Sequence, residues 1–326
     1  MRIWRHDSTT YSAIGGCIFA ASLLLSGLLL GGTALAQEAV IQETMRYPAG
    51  DQSSPQPTGL YVDWHTGDIY VADAANARIA IYDSQRRYNF EFSTRDRLST
   101  PQQVAVDSQG RIFVLGDTRK HTLSVFDYNG DFLNYLDLPY ETNGAGPMGI
   151  ALDDSDQLYM LTAEPAHIYV YTTSGEAVRD FPILQEADDE TQATPVMSGF
   201  AVMANEMIVT LPIIGQIARI DFDGKLIRIF GYPGGGQTEL SFPVACCKTN
   251  TGEYVILDKH RHLLQYYSAD GQYLREIGYP GLDEGYFFHP SSLACCLDGT
   301  LVVGQIYNNR IQSVVFRNEP VVSGGS

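Results

Sequence analysis

Six prolines recur along this chain at nearly equal intervals, and each opens a similar apolar stretch. Their spacings are 44, 46, 48, 48 and 47 residues, and they occupy positions Pro57, Pro101, Pro147, Pro195, Pro243 and Pro290. A unit of this length that contains four short strands is typical of one blade of a β-propeller. Each blade has two apolar faces that only neighbouring blades can cover. The repeat is therefore predicted to close into a ring.

The first unit shows the strand pattern most clearly. Residues 60–63, 69–73 and 78–82 alternate apolar and polar positions and are separated by turn residues, as expected of three consecutive strands. A fourth strand is clearest over residues 131–138, 225–232 and 272–279. Each of these three follows an Asn-Gly or Asp-Gly pair, which favours the positive φ of a tight hairpin turn.

The two ends of the repeat region complete one another. The sixth unit stops after its third strand, residues 310–316, whereas residues 39–47 precede the first unit and have no partner there. We therefore expect the N-terminal strand to be the outer strand of the last blade. The predicted fold is all-β: a six-bladed β-propeller of four-stranded blades, with its N-terminal strand completing the sixth.

The first 36 residues have the features of a signal peptide. An apolar run over residues 13–30 follows Arg2 and Arg5, and Ala34-Leu35-Ala36 matches the small-x-small cleavage pattern. The alternative is an uncleaved membrane anchor, because the run approaches spanning length. The predicted organisation is a signal peptide over 1–36, the propeller over 37–317 and a flexible tail over 318–326. The predicted location is periplasmic or extracellular, with no membrane insertion after cleavage.

The chain is strongly acidic. Its formal net charge is −17, and it becomes −18 when residues 1–36, which contribute Arg2, Arg5 and Asp7, are removed. Such a surface repels nucleic acid and anionic membranes, so neither is an expected partner.

The first unit also resembles a known repeat. The segment Ile69-Tyr70-Val71-Ala72-Asp73, followed by Asn76 and by Arg78-Ile79, looks like the NHL repeat, and Gln305 with Asn308 and Arg310-Ile311 is a second copy. The resemblance implies an NHL-type six-bladed β-propeller over residues 39–316. It specifies a fold rather than an activity, because propellers carry many unrelated functions. For the polar triad Asp73, Asn76 and Arg78, the sequence favours a structural role in the turn between strands.

Four cysteines lie in the first strands of units five and six: Cys246, Cys247, Cys295 and Cys296. Alternate residues of a strand face opposite neighbours, so one cysteine of each pair can face the interface between these blades. One interblade disulfide is then possible, Cys247–Cys295 or Cys246–Cys296, and the first has the smaller axial offset. Two vicinal disulfides, or buried thiols, are the other options. We expect structural roles and leave the pairing open.

Catalytic, cofactor-binding and metal-binding residues are not indicated by the sequence. His260 and His262 fall in a predicted loop, and His289 precedes a blade-opening proline near the expected propeller mouth. Amidating lyases with NHL-like propellers bind metal through histidines, one of which is expected just after that proline. Here those positions hold Thr58, Gln102, Met148, Val196, Val244 and Ser291.

The preferred functional prediction is an exported binding or scaffold module without intrinsic catalysis. It would present a loop face to a protein, peptide or glycan partner, with residues 140–147, 185–195 and 231–242 as the variable loops. The alternative is a metal-dependent lactonase- or lyase-like enzyme with its site at the mouth of the central channel. That alternative requires carboxylate, amide or imidazole groups from several blades, which would hold a metal ion in the channel.

Overall fold

A computed structural model describes residues 37–45, 54–116, 122–141, 146–187 and 196–318. The predicted leader, the tail beyond Asn318, Pro195 and the exit of the N-terminal strand lie outside the described residues. Within them, no helix has the length and apolarity needed to cross a bilayer.

The described chain forms six four-stranded antiparallel sheets, which confirms the predicted fold. The N-terminal strand is β1 (Gln37–Thr44). Blade 1 contains β2 (Pro57–Val62), β3 (Ile69–Asp73), β4 (Arg78–Tyr82) and β5 (Tyr88–Ser93). Blade 2 contains β6 (Pro101–Val106), β7 (Ile112–Gly116), β8 (Leu123–Phe126) and β9 (Phe132–Leu136). Blade 3 contains β10 (Gly149–Leu152), β11 (Gln157–Thr162), β12 (His167–Thr172) and β13 (Ala177–Pro182).

The second half repeats the same arrangement. Blade 4 contains β14 (Phe200–Met203), β15 (Glu206–Leu211), β16 (Gln216–Ile220) and β17 (Leu226–Phe230), with a single 3₁₀ turn at Pro212–Ile214. Blade 5 contains β18 (Pro243–Lys248), β19 (Tyr254–Asp258), β20 (Leu263–Tyr267) and β21 (Tyr273–Ile277). Blade 6 contains β22 (Pro290–Cys295), β23 (Leu301–Gln305) and β24 (Arg310–Asn318).

Strand β1 completes blade 6. It pairs antiparallel with β24, from Gln37 opposite Asn318 to Thr44 opposite Gln312. The sheet order is therefore β1-β24-β23-β22, in which the first and last strands of the described residues are neighbours. The two ends of the described propeller are joined within one sheet, as the sequence predicted.

The core lies between blades rather than within any one of them. Six apolar clusters occupy the six interfaces between successive blades in the described residues. The central strands of each blade are buried on both faces, as in the all-buried β3 and β19. Burial of apolar area at every interface is the main stabilising contribution to such a ring.

The first strands line the central channel, and side chains near their starts bond to the next blade. In four blades a polar side chain donates to a backbone carbonyl at the start of the next blade's first strand. These bonds are Thr58 Oγ1 to Pro101 O (2.8 Å), Gln103 Nε2 to Met148 O (3.3 Å), Ser198 Oγ to Pro243 O (3.2 Å) and Ser291 Oγ to Pro57 O (3.0 Å). In blade 5 the residue equivalent to Thr58 and Ser291 is Val244, which has no polar side-chain atom.

Candidate functional site

The repeat motif fixes the connections at one edge of each sheet. In blade 1, the buried Asp73 carboxylate accepts hydrogen bonds from the Gln56 backbone N–H (2.9 Å), Asn76 Nδ2 (2.8 Å) and Arg78 Nε (2.8 Å). One side chain thus joins the segment that enters β2 to the turn between β3 and β4. This arrangement gives the triad a structural role.

The same connection recurs in blades 5 and 6. Asp258 accepts from the backbone N–H groups of Ser241 (2.6 Å) and of His260 (3.1 Å). In blade 6, Gln305 Oε1 accepts from the Phe288 N–H (2.7 Å) and from Asn308 Nδ2 (3.1 Å). These bonds hold the loops before β18 and β22 against the turns after β19 and β23.

Antiparallel strands give the ring two distinct faces. Connections between blades and between second and third strands lie at one edge of each sheet, which we call the loop face. Turns between first and second strands, and between third and fourth strands, lie at the other edge, which we call the turn face. Residues 231–242 and 278–289 are the interblade loops on the loop face of blades 4–6.

These two loops share one compact conformation. In the first, Leu240 N–H donates to Tyr232 O (2.7 Å) and Gly234 N–H donates to Leu240 O (3.1 Å). In the second, Phe287 N–H donates to Tyr279 O (2.9 Å) and Gly281 N–H donates to Phe287 O (3.0 Å). Leu240 and Phe287 are fully buried, whereas Tyr232 and Tyr279 are each 73% exposed. Each loop is anchored by an apolar side chain and presents a tyrosine.

Large exposed apolar side chains are most numerous on the face that carries these tyrosines. Of the 14 such residues in the described chain, seven lie on the loop face, and all seven belong to blades 4–6 or their connections. We call this set the aromatic patch: Val196, Ile213, Tyr232, Tyr279, Leu282, Tyr286 and Tyr307. The turn face has three, Trp64, Tyr128 and Leu297, and the remaining four lie on outer strands.

Three histidines meet beside the aromatic patch. The ring centroid of His289 lies 4.6 Å from that of His262 and 6.5 Å from that of His260, and the His289 N–H donates to His262 Nδ1 (2.9 Å). Burial, followed by the nearby histidines, lowers the pKa of His262. Burial, followed by Lys259 and His260, lowers the pKa of His289. Their neutral forms are therefore favoured at neutral pH.

The histidine rings are held by aromatic contacts. Phe242 stacks on His260 at a centroid distance of 4.4 Å, and Phe288 stacks on His262 at 5.7 Å. Among the residues that the structure describes, no group of three or more His, Cys, Asp or Glu side chains is arranged to hold a metal ion. The sequence singled out His289 by its place before Pro290. It gave no signal that the loop histidines of blade 5 would meet it.

The comparison with known families agrees with this architecture. The family model described as NHL repeat matches residues 55–82, which are the first three strands of blade 1 and the segment leading into them. The chain is a six-bladed β-propeller with an NHL repeat. The resemblance stated from the residues alone is confirmed.

Three proteins that resemble this propeller differ widely from it in sequence. Protein brain tumor of Drosophila melanogaster is 26% identical over 131 residues, a match that covers 39% of this chain and 12% of that protein. An auxiliary nutrient binding protein from Bacteroides thetaiotaomicron is 13% identical with a TM-score of 0.63, covering 87% of this chain and 77% of that one. A catalytically inactive virginiamycin B lyase from Staphylococcus aureus with quinupristin is 12% identical with a TM-score of 0.59, covering 86% and 99%. At these identities the two structures show the shared fold alone.

The central channel of the propeller is a cavity of about 510 Å³ lined by the first strands of all six blades. Its described lining includes hydroxyls, amides, the Trp64 indole and four cysteines, together with Lys248 at the turn-face end. His260, His262 and His289 are not among the lining residues. The enzyme alternative predicted groups converging at the channel mouth; in the described residues the histidines converge instead on the loop face of blades 5 and 6.

The four cysteines face alternate interfaces. Cys246 belongs to the cluster between blades 4 and 5, Cys247 and Cys295 pack at the interface of blades 5 and 6, and Cys296 faces blade 1. In the structure a disulfide joins Cys247 and Cys295, whose Cα atoms are 5.9 Å apart, within the usual range. It crosses the blade 5–6 interface. There Val244 has no polar side-chain atom that could donate a hydrogen bond to the first strand of blade 6. This pairing stays a prediction until the thiols are mapped.

One buried charge cluster was not foreseen from the sequence. Glu206, at the start of β15, is 3% exposed and accepts from Arg219 Nε (2.7 Å), Lys248 Nζ (2.8 Å) and the Tyr254 hydroxyl. It joins the second strand of blade 4 to the first two strands of blade 5. Burial alone would raise the pKa of Glu206, but its three donors outweigh burial and lower it. Nothing local in the sequence marks this glutamate, because its partners are distant in the chain.

Proposed function

We propose that this NHL propeller is an exported binding module that presents the aromatic patch to a protein, peptide or glycan partner. The proposal rests mainly on one observation: seven large apolar side chains are exposed on the loop face of blades 4–6. Exposed apolar clusters of this kind are typical of interaction sites. Tyrosine suits such a surface because its ring is apolar and its hydroxyl forms hydrogen bonds.

The backbone beneath the patch supports this proposal. Tyr232 and Tyr279 stand on loops that are closed by two backbone hydrogen bonds each and anchored by Leu240 and Phe287. A surface that is already ordered loses little conformational entropy when it binds. The proposal also includes a cleaved leader over residues 1–36 and a flexible C-terminal tail. The acidic surface disfavours nucleic acid as the partner.

The partner's chemistry follows from the patch. Four of its seven members are tyrosines, and none is charged. Binding is therefore expected to depend on apolar and aromatic contacts and to survive moderate salt, which screens exposed charges. The fold is shared with a protein whose name describes nutrient binding, and that likeness is compatible with a binding role without assigning one.

The test compares tyrosines on opposite faces. The double variant Tyr232→Ser, Tyr279→Ser removes two aromatic rings from the patch, whereas Tyr128→Ser removes a ring of 65% exposure from the turn face. Partners would be isolated from the exported fraction and from glycan arrays, and their affinity for each variant measured by calorimetry. We expect the double variant to weaken binding roughly tenfold or more with an unchanged melting temperature. Equal binding by the wild-type protein, the double variant and Tyr128→Ser would contradict the proposal.

A further inference from the structure

A second hollow lies outside the aromatic patch, between blades 2 and 3. It has a volume of about 470 Å³, within the usual size range of small-molecule sites. We call it the blade 3 groove; its walls include Tyr140, Glu141, His167, Tyr169, Tyr171 and Asp180. One wall is the segment that follows β9, and the other is the surface of β12 and β13.

The strand register of blade 3 builds the aromatic wall. His167, Tyr169 and Tyr171 alternate along β12, so their side chains share one face of the sheet. On β13, Asp180 lies opposite Tyr169, and Ala177 lies opposite Tyr171. Ala177, whose side chain is small, is also among the residues that line the groove.

Two tyrosine hydroxyls are used to hold the opposite wall. The Tyr171 hydroxyl donates to Pro139 O, and the Tyr169 hydroxyl accepts from the Glu141 N–H (3.0 Å). The rings of Tyr140 and Tyr169 meet edge to face, with centroids 6.3 Å apart and an angle of 65° between their planes. The ring of His167 lies 4.7 Å from that of Tyr169. Tyr169 is 8% exposed and Tyr171 is 1% exposed, so both rings are buried behind the groove. The aromatic rings that are open to a ligand are the half-buried Tyr140 and His167.

The residues that line the groove include two carboxylates, Glu141 and Asp180, and one arginine, Arg179. Glu141 is exposed at its rim, and Asp180, which is 61% exposed, contacts His167 Nε2 at 2.8 Å. The Arg179 side chain is directed to the other face of the sheet, where it contacts the Tyr159 hydroxyl (3.3 Å) and Asp223 (3.7 Å). The groove therefore combines aromatic rings with two carboxylates.

We propose that the blade 3 groove binds the quaternary ammonium group of a small organic cation. Aromatic faces attract cations through the ring quadrupole, and quaternary ammonium ions suit aromatic cages because their methyl groups also pack against the rings. A primary ammonium group is strongly hydrated and loses more solvation on entering such a site. A ligand that also carries a carboxylate is disfavoured by Glu141 and Asp180.

The ligands for the test separate charge from shape. Choline, tetramethylammonium, glycine betaine and 3,3-dimethylbutan-1-ol, the uncharged carbon analogue of choline, would be titrated into the intact protein by calorimetry and NMR. We expect choline and tetramethylammonium to bind with dissociation constants of roughly millimolar or tighter. Betaine should bind more weakly and the neutral analogue least. Equal binding of choline and its neutral analogue would overturn the proposal.

Matched variants locate the site. Tyr140→Ala is expected to weaken choline binding roughly two- to thirtyfold, the range found for cation–aromatic contacts. Asp180→Asn should weaken it while Asp223→Asn, at a carboxylate outside the groove that is 92% exposed, should not. Melting temperatures would verify that each variant is folded. Equal effects of the two Asp variants would show general attraction to an acidic protein and reject the groove. Binding of a neutral disaccharide in place of choline, lost in Tyr140→Ala, would also reject the cation.

Discussion

Glu206 shows how one residue joins two blades. Its carboxylate is almost wholly buried, and its donors come from β16, β18 and β19. A buried carboxylate is tolerated when its hydrogen-bonding capacity is satisfied, and removing its charge leaves its cationic partners uncompensated. At the surface, an arginine–carboxylate pair contributes much less.

Glu206→Gln is therefore expected to lower the free energy of unfolding at pH 7 by about 1–3 kcal/mol. Glu253→Gln is the matched control, since Glu253 pairs with Arg275 at 2.8 Å but is partly exposed, and it should cost less than about 1 kcal/mol. Both are measured by urea denaturation. Equal losses in the two variants would contradict the assigned role of Glu206.

The pH dependence of the stability difference between the wild-type protein and Glu206→Gln gives a second test. The folded-state pKa of Glu206 is lowered, so its stabilising contribution is present above the unfolded-state pKa and is lost as pH falls through the folded-state pKa. The stability difference between the wild-type protein and Glu206→Gln should therefore be largest at neutral pH and shrink below about pH 4.5. Denaturation curves between pH 3 and 7 would measure it. A pH-independent difference would mean that shape rather than charge is responsible.

For the cysteines, we expect the Cys247–Cys295 bridge and two buried thiols. Burial raises the pKa of Cys246, and it raises the pKa of Cys296 to about 12, so both thiols should react slowly in the folded protein. Alkylation in denaturant without reductant, followed by fragment-ion mass spectrometry, should label Cys246 and Cys296 alone among the four. Labelled Cys247 or Cys295 would contradict the pairing. Cys295→Ser should lower the free energy of unfolding by about 2–4 kcal/mol.

The environment of some of these residues could be predicted from the sequence because it is set by local strand geometry. The two-residue period of a strand is enough to assign Cys246 and Cys247 to opposite interfaces. The meeting of His262 with His289 depends on how two loops pack across an interface, and no periodicity within either loop encodes it.

At the scale of single elements, the interblade loops have buried anchors and exposed tips. Phe287 is fully buried, whereas its neighbour Tyr286 is 43% exposed. Phe287→Ala is expected to lower the free energy of unfolding by about 3–5 kcal/mol, as for other buried aromatic truncations. Tyr286→Ala should cost less than about 1 kcal/mol. Chemical denaturation of both variants tests this, and similar losses would show that Phe287 is not the anchor.

The strands were predictable and the loop conformations were not. Alternation and turn residues were sufficient to place strands such as β3 and β4 with the bounds that the structure shows. Residues 231–242 were expected only to vary and to form part of a contact surface. Their closed shape depends on Leu240 reaching the core between blades 4 and 5, which is a tertiary contact. The other two predicted contact loops lie partly outside the described residues.

At the scale of the whole molecule, stability depends on closing the ring. The innermost strands β22 and β2 contact one another, and Arg86 of blade 1 pairs with Asp298 of blade 6 at 2.8 Å. The sheet of blade 6 is complete only when β1 adds to β24, since the outer edge of β24 would otherwise present unpaired backbone groups. The sequence allowed this closure to be predicted because an unpartnered strand preceded the first unit and the last unit lacked one.

Deleting residues 37–44 should therefore destabilise the entire ring and not only blade 6. We expect the melting temperature to fall by roughly 10 °C, as for the loss of a few kcal/mol, with increased aggregation through the exposed edge of β24. Truncation after Asn318 is the control, because it leaves the β1–β24 ladder intact, and it should leave the melting temperature unchanged. A peptide of sequence QEAVIQET, which corresponds to β1, should restore stability to the deletion variant by adding as a strand in trans, whereas a scrambled peptide should not. A deletion variant as stable as the truncated control would show that the ring closes without β1.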